Sequence, residues 1–527
     1  MTSQPTVLIV GGGPVGLVLA CELRLHSVPV RVIDNRTGPT AQSRAIVVWP
    51  GSLELLRRID AAEPLIAAGH RISDIVYYSA NRRLAAVSLA GLKDTPYPFG
   101  VTIPQVRTEA VLTGLLAELG VEVESNTSLT ELRVENGRPV AVLRGPDGST
   151  HTVRPDWLVG ADGAQSTVRG QLGIDFAPVG NEISFAICDA TLAGDLSAAE
   201  MVYAYRGAGA LGLAPLGGDT FRVAFAVSPE QSGNQLTDAD FQQQLDRLSP
   251  VPARLTDMQW CTVFRARRRL AGTFRSGRVF LAGDAAHIFS AAGAQGMNTG
   301  IQDAVSLGWR LGAVITGALP AEILDEYEPE RRAEAVRLSV VTARQTELGL
   351  LPRPSQRALR DGLVRAADRT GLLQQWAAPL MSQTDVTYRS GGPVSRLLRP
   401  GIRVGDRLPL FADPAPARPS QVSLLRPAVL LWPGRQPAPE WPDRLAAARQ
   451  LLDRWLQPGI EVVDGTGRDL AAPLGATPRA VLVRPDSHVA ALTDDLSPAG
   501  LIGMLRSAGY AQDRVPELSL ATVGMAS

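Results

Sequence analysis

The chain has 527 residues and a mass of 56.0 kDa, enough for about two to four domains with large apolar cores. Lys+Arg and Asp+Glu both number 52, so no net field draws the chain to nucleic acid or an anionic membrane. Its three cysteines, Cys21, Cys188 and Cys261, lie far apart without metal-ligand spacing, which argues against a disulfide framework, a zinc ribbon and a dithiol centre.

Taken in chain order, TVLIV at residues 6–10 predicts a strand. Glycines break this apolar run at once, so it does not read as a leader, and no stretch approaches the roughly 18 apolar residues of a membrane span. The cytoplasm is the expected compartment. The turn GGGPVG, the helical LVLACELRLH and the strand VPVRVID complete one βαβ unit. From about Ile75 the pattern changes to short alternating runs, followed by a predicted helix over 108–118 and the apolar strand WLVGAD. Residues 175–274 are mostly strand-like, and helical periodicity returns after Gly300, with Ala304, Leu307, Leu311 and Ile315 on one face. Pro- and Arg-rich stretches at 396–400 and 409–419 mark a linker to a final α/β module carrying the strands PAVLLW and RAVLVRP.

Three blocks carry chemistry. In the first, Gly11-x-Gly13-x-x-Gly16 sits between strand and helix and encloses Pro14 and Val15. Gly11 permits the tight turn, Gly13 lets the backbone approach a pyrophosphate, and Gly16 allows close helix–strand packing. The helix N-terminus adds about 0.3–1 kcal/mol per exposed anionic contact. Asp34, 18 residues after Gly16 and followed by Asn35, stands where a carboxylate binds an adenosine ribose hydroxyl. A second literal match, Gly207-x-Gly209-x-x-Gly212, runs into LAPLGGDTFRV and predicts a hairpin, which has no helix end to offer a phosphate.

The second block is DWLVGADGAQSTVR, where a strand delivers Asp162 and Gly163 into a turn followed by Ser166 and Arg169. The third is GRVFLAGDAAHIFSAAGAQGMNTGIQDA, whose strand ends at Gly283 and Asp284 and whose next helix starts near Gly296, Met297 and Asn298. A carboxylate after a strand suits a polyol such as a ribityl chain. A helix N-terminus suits the electron-rich pyrimidine edge of a flavin.

With these three blocks in this order, the chain resembles the aromatic-hydroxylase branch of the FAD-dependent monooxygenases, the phenol-hydroxylase-like, single-component type that tailors polyketides and phenols. The resemblance covers nearly the whole chain. It implies an α/β architecture: a Rossmann-type FAD-binding domain (1–74, 101–174 and 275–395), an inserted β-sheet substrate domain (75–100 and 175–274) and a thioredoxin-like C-terminal domain (396–527). By the same resemblance, Asp284 binds the ribityl chain and Asp162 serves both FAD and the nicotinamide cofactor. The SRA segment brings Arg44 near the flavin, where it is the one weak catalytic candidate. Gln105 in IPQVRTEAVL touches the cofactor, and Leu129 contacts the adenine side through its backbone. The segments EYEPERR and VLVRPDSHVAAL also match the family. The chain departs from it after His287, where one or two prolines are usual and Ser290, Ala291 and Ala292 stand instead; Asp34 replaces a commoner Glu.

The family's chemistry belongs to its cofactor. NADPH, or NADH, delivers a hydride to the flavin, O2 adds at C4a, and the hydroperoxyflavin passes one oxygen to an aromatic or polyketide substrate. A Baeyer–Villiger, epoxidising or ring-opening oxygenation is the alternative outcome, and an FAD-binding protein without turnover the second alternative. No metal site, nucleic-acid partner or membrane is expected; a homodimer is the one assembly kept open. Among other candidates, His287 reads as an orderer of the loop after Asp284. Tyr77, Tyr78 and Trp260 read more readily as core than as pocket wall. The RARRR run at 265–269 reads as a solvated face or a place where the cofactor enters.

Overall fold

The computed structural model describes residues 6–38, 45–179, 183–207, 209–227, 236–290, 292–389, 401–408, 426–455, 460–466 and 474–510. The chain divides into two compact units, Met1–Gly312 with Leu324–Val386, and Ala313–Ile323 with Thr387–Ser527. Among the described residues no helix is long and apolar enough to cross a membrane. The two stretches read as a linker, 396–400 and 409–419, lie outside the described residues.

The first unit holds a six-stranded sheet ordered Arg275–Ser276, Val279–Leu281, Trp157–Gly160, Val7–Val10, Val30–Ile33, Val123–Glu124. All its pairings are parallel except the short edge strand Arg275–Ser276. Val7, Leu8 and Ile9 are fully buried, because a central parallel strand is covered on both faces and so reads as one apolar run. The helix predicted over 108–118 starts three residues earlier, at Gln105–Glu118. Pro104 is the N-cap and holds extended backbone, so Gln105 opens the first turn.

A seven-stranded sheet follows the order Ala253–Ala266, Ile183–Gly194, Thr220–Val227, Gly209–Gly217, Glu200–Arg206, Asp74–Ser79, Arg82–Ser88. Only Glu200–Arg206 and Asp74–Ser79 pair in parallel. Alternation divides the faces: Ala186, Cys188, Val202 and Ala204 enter one apolar core, whereas Phe185, Ile187, Tyr203 and Tyr205 face a cavity. The core side is closed by helix Asp238–Leu248, whose Phe241, Leu245 and Leu248 recur at helical spacing and are buried. Burial of Phe241 alone contributes about 1.5–3 kcal/mol. Thr237 and Asp240 form a capping box at the N-terminus of this helix. The second glycine string is indeed a hairpin: Gly207 turns the chain between Glu200–Arg206 and Gly209–Gly217, which pair antiparallel.

The second unit carries a four-stranded sheet ordered Glu461–Asp464, Ala428–Trp432, Arg479–Val483, Val489–Thr493, with only the first pair parallel. Helices Trp441–Trp455 and Pro498–Ser507 accompany it.

Candidate active site

The glycine turn begins with a steric necessity. At Gly11 φ is +113° and a Cβ would stand 2.3 Å from the Ala161 carbonyl oxygen, while a Cβ on Gly16 would stand 2.0 Å from that of Gly11. Only glycines let helix Pro14–Leu25 sit this close to the strand ends. Gly13, the N-cap of that helix, is different: a Cβ there would meet nothing within 4 Å, so its backbone borders open space. Asp34 closes the far side of the turn. Its Oδ2 accepts the Gly12 N–H at 2.6 Å, and its Oδ1 accepts the Arg36 N–H at 2.8 Å and Nε–H at 3.0 Å. Burial works to raise the Asp34 carboxyl, but the Arg36 contacts and the Gly12 amide outweigh it and hold the group below the usual carboxylate range. Arg36 continues to Glu109 at 3.3 Å, and Gln105 Nε2 donates to Glu109 Oε1 at 2.9 Å.

Asp162 is held by the helix it caps. Ser166 Oγ donates to its Oδ1 at 2.6 Å, and the Thr167 and Val168 amides donate to its Oδ2 at 2.7 and 3.1 Å. Burial still lifts this carboxyl above its ordinary value despite those donors. Arg169 joins the second block to the third: it donates to the carbonyls of Ala164 and Ala285 at 2.9 and 2.8 Å and lies 3.7 Å above the Phe176 ring.

The third block is organised around a buried carboxylate. Asp303 accepts from the Gly283 amide at 3.0 Å, from Arg331 Nε at 2.7 Å, and stands 2.5 Å from His287 Nε2. All four residues are buried: burial raises the Asp303 carboxyl, but its contacts with His287 and Arg331 bring it below the usual value. His287 therefore orders the turn at Asp284 through Nε2, while its buried Nδ1 has no hydrogen-bond partner among the described residues. Asp284 itself is exposed.

These pieces line one cavity of about 1360 Å³ in the first unit. Of the residues singled out from sequence, Gly11, Gly13, Pro14, Val15, Asp34, Asn35, Gln105, Leu129, Asp162, Asp284, Gly296 and Met297 border it. Gly16, Gly283 and Asn298 stand behind the wall. Gly283 packs on Val15, where a Cβ would meet Cγ2 at 2.8 Å, and Asn298 spends its amide on the Trp49 N–H and the Val47 and Ala294 carbonyls. Arg44 and Ala291 lie outside the described residues.

Beyond the glycine end, the cavity continues along the seven-stranded sheet to Gln345, Thr346 and Leu350. Its aromatic wall includes Tyr203 and Tyr205, which the sequence did not single out, while Tyr77, Tyr78 and Trp260, read as core rather than pocket wall, do not border it. Tyr77 is stacked behind Tyr203 at 5.5 Å, Tyr78 packs against the opposite core, and Trp260 Nε1 donates to Asp189 at 2.8 Å. Arg265, Arg267 and Arg269 line the cavity as alternate residues of the RARRR run, so this stretch is more than a solvated face. Sequence reasoning also missed Trp49, Asp303, Arg331 and Gln345. For Asp303 a signal existed: four residues before Leu307, its carboxylate falls beside the helix's apolar face, where it needs a buried cation.

The donor set fits an extended dinucleotide. A bare glycine backbone at a helix N-terminus, a carboxylate at the second strand end and an exposed carboxylate at Asp284 lie along one continuous wall. Such a parallel sheet with its glycine turn, opening into the cavity of a second sheet, defines a nucleotide-dependent oxidoreductase of mixed α/β fold. The FAD binding domain family matches residues 4–341, and the chain belongs to it.

Similar proteins sharpen the class. The chain is 34% identical over 501 residues to the 12-dehydrotetracycline 5-monooxygenase/anhydrotetracycline 6-monooxygenase of Streptomyces rimosus subsp. rimosus, covering 92% of this chain and 94% of that one. It is 38% identical to the 6-methylpretetramide 4-monooxygenase of Streptomyces rimosus, over 65% of this chain and 62% of that protein. The anhydrotetracycline hydroxylase OxyS from Streptomyces rimosus superposes with a TM-score of 0.72 at 29% identity, over 95% of this chain and 98% of that one. The protein is an FAD-dependent monooxygenase.

Proposed function

We propose that the enzyme uses NADPH and O2 to hydroxylate a polycyclic aromatic polyketide. One observation carries this: a single cavity runs from the glycine turn and Asp34, past Asp284 and Gly296, to the largely apolar wall of the seven-stranded sheet. The tetracycline-type substrates named for the relatives agree with a wall of that shape. In this reading the six-stranded sheet carries the FAD-binding domain, the seven-stranded sheet the substrate domain, and the second unit a thioredoxin-like domain. All three cysteines precede residue 262, so that last domain has no dithiol and serves structure or assembly. The cytoplasm, where NADPH is supplied, is the proposed location.

Bound FAD supplies hydride acceptance and oxygen activation. The chain's own part is placement. Gly11, Gly13, Pro14 and Val15 admit the pyrophosphate to the helix end, with Gly16 behind them setting the helix close. Asp34, beside Asn35, faces the adenosine ribose, with Gln105 and Leu129 bordering that end. Asp284, presented by Gly283, faces the ribityl chain, and Gly296 and Met297, braced by Asn298, face the pyrimidine edge. Asp162 stays a cap and shapes the wall. Tyr203, Tyr205 and Phe185 exclude water from the oxygenation site, since a wet site diverts reducing equivalents to peroxide.

The test is the visible spectrum of the purified protein, followed anaerobically after NADPH and then in air with anhydrotetracycline as a probe. Flavin bands that bleach and recover, with a product one oxygen heavier, are expected. Bands that never bleach overturn NADPH as reductant, and a product without added oxygen overturns the substrate class.

A further inference from the structure

The loop between His287 and helix Gly296–Ile315 makes a turn that its own sequence does not favour. Gly293 has φ of 77° and Ala294 of 52°, the second being a non-glycine residue in the left-handed region. Such a backbone persists only where surrounding groups over-determine it. Here they do. The Gly293 N–H donates to Tyr203 Oη at 3.2 Å, and the Gly293 carbonyl accepts from Trp49 Nε1 at 3.0 Å. The Ala294 carbonyl accepts from Asn298 Nδ2 at 3.0 Å, and Asn298 Oδ1 in turn accepts the Trp49 N–H at 2.8 Å.

Three successive peptide units are thus gripped from three elements: the substrate sheet, the start of helix Pro50–Leu56 and the helix that follows the turn. Trp49 and Asn298 are fully buried, and Tyr203 is itself braced by Tyr77. A Cβ at Gly293 would lie 3.1 Å from Gln345 Oε1, so the turn packs directly on the far wall of the cavity. Ala294, Gln295, Gly296 and Met297 border the cavity in succession, immediately beside Tyr203.

Resting on the proposed seat of the flavin at Gly296 and Met297, we infer that Trp49 and Tyr203 are positioning residues. They hold the Gly293 peptide as the gatepost between flavin and substrate, so that reducing equivalents reach substrate rather than water. Neither is a catalytic residue; each acts through the peptide it holds. The substrate sheet and the segment entering helix Pro50–Leu56 are coupled through that one residue, Tyr203 at its N–H and Trp49 at its carbonyl.

The test compares Tyr203→Phe and Trp49→Phe with Trp432→Phe, which removes a similar indole-to-carbonyl bond, Trp432 Nε1 to Gly475 O at 3.1 Å, in the other unit. Amide exchange over the segment from Phe289 to Asn298, read by mass spectrometry without substrate, should accelerate about tenfold or more in Tyr203→Phe. The circular dichroism of bound flavin should change in both site variants and stay unchanged in Trp432→Phe, with FAD affinity within about threefold throughout. With anhydrotetracycline as probe, peroxide released per NADPH should rise at least about threefold in both site variants. Unaltered exchange and flavin dichroism in Tyr203→Phe and Trp49→Phe overturn the inference, as does an equal change in Trp432→Phe. Wild-type protein that binds no FAD overturns instead the proposed flavin seat beneath it.

Discussion

The amide of Gly283 donates to Oδ2 of Asp303 at 3.0 Å, tying the turn that presents Asp284 to a helix twenty residues further on. The same carboxylate holds His287 and Arg331, so one buried group fixes the strand end, the loop and helix Tyr327–Gly349 together.

Asp303→Asn should therefore be severe. It removes the buried carboxylate that accepts from Arg331 Nε, and stability should fall by about 3–5 kcal/mol. A denaturant titration of the purified variant measures it, and a loss below about 1 kcal/mol contradicts the proposed keystone role.

The same group sets an acid limit. The Asp303 carboxyl lies below its ordinary 3.8 in the fold, so the unfolded chain takes up the proton first as pH falls. Its contribution is complete above pH 3.8 and disappears as pH drops through the lower folded value. Thermal scans from pH 6 to pH 3 should show wild type losing more stability than Asp303→Asn over the acid end. Parallel curves contradict it.

Two glycines of one motif should fail in different ways. In Gly11→Ala the new Cβ runs into the Ala161 carbonyl at 2.3 Å with φ at +113°, so the apoprotein should lose about 3 kcal/mol or more. Gly13→Ala meets nothing within 4 Å, so its apoprotein should melt like wild type while FAD affinity falls about tenfold, or about 1.4 kcal/mol. Fluorescence titration with FAD beside thermal melts separates the two effects. Equal FAD binding by wild type and Gly13→Ala removes that backbone from the phosphate site.

Gln345 Nε2 is buried in the cavity wall without a hydrogen-bond partner among the described residues. An unspent donor costs about 1–3 kcal/mol until a ligand oxygen takes it up. Gln345→Leu should then raise KM for a bound polyketide about fivefold to tenfold while kcat stays within about twofold. Steady-state NADPH consumption with anhydrotetracycline gives both constants, and an unmoved KM removes Gln345 from substrate recognition.

Removing the cofactor should soften the first unit. FAD at a hundred times its dissociation constant stabilises the state that binds it by about 2.7 kcal/mol. Calorimetry of apo and reconstituted protein should show one transition shifting with FAD. A scan in which no transition moves contradicts binding to the folded cavity.

What was legible in the sequence is what sterics and short-range spacing impose. Gly11 and Gly16 announce themselves because no other residue fits beneath that helix, and the burial of Val7–Val10 follows from an unbroken apolar run. Asp34 and Asp284 were legible because each follows a strand. Asp303 with Arg331, and Trp49 with Gly293, were not, because each pair joins segments whose meeting depends on the finished fold. The pocket aromatics Tyr203 and Tyr205 were not singled out, for a subtler reason. Tyr77 and Tyr203 are register partners in one sheet, and only the packing around that sheet decides which of the two borders the cavity.

The order of the six-stranded sheet has a consequence during synthesis. Val7–Val10 gains Val30–Ile33 early, but its other partner, Trp157–Gly160, is made much later and itself waits for Val279–Leu281. At the ribosome's roughly 5–20 residues per second, that strand is left without its full flank for many seconds. Nascent chains truncated before Val279 should expose an unpaired, fully apolar edge and should lean on chaperones far more than chains that extend past Leu281.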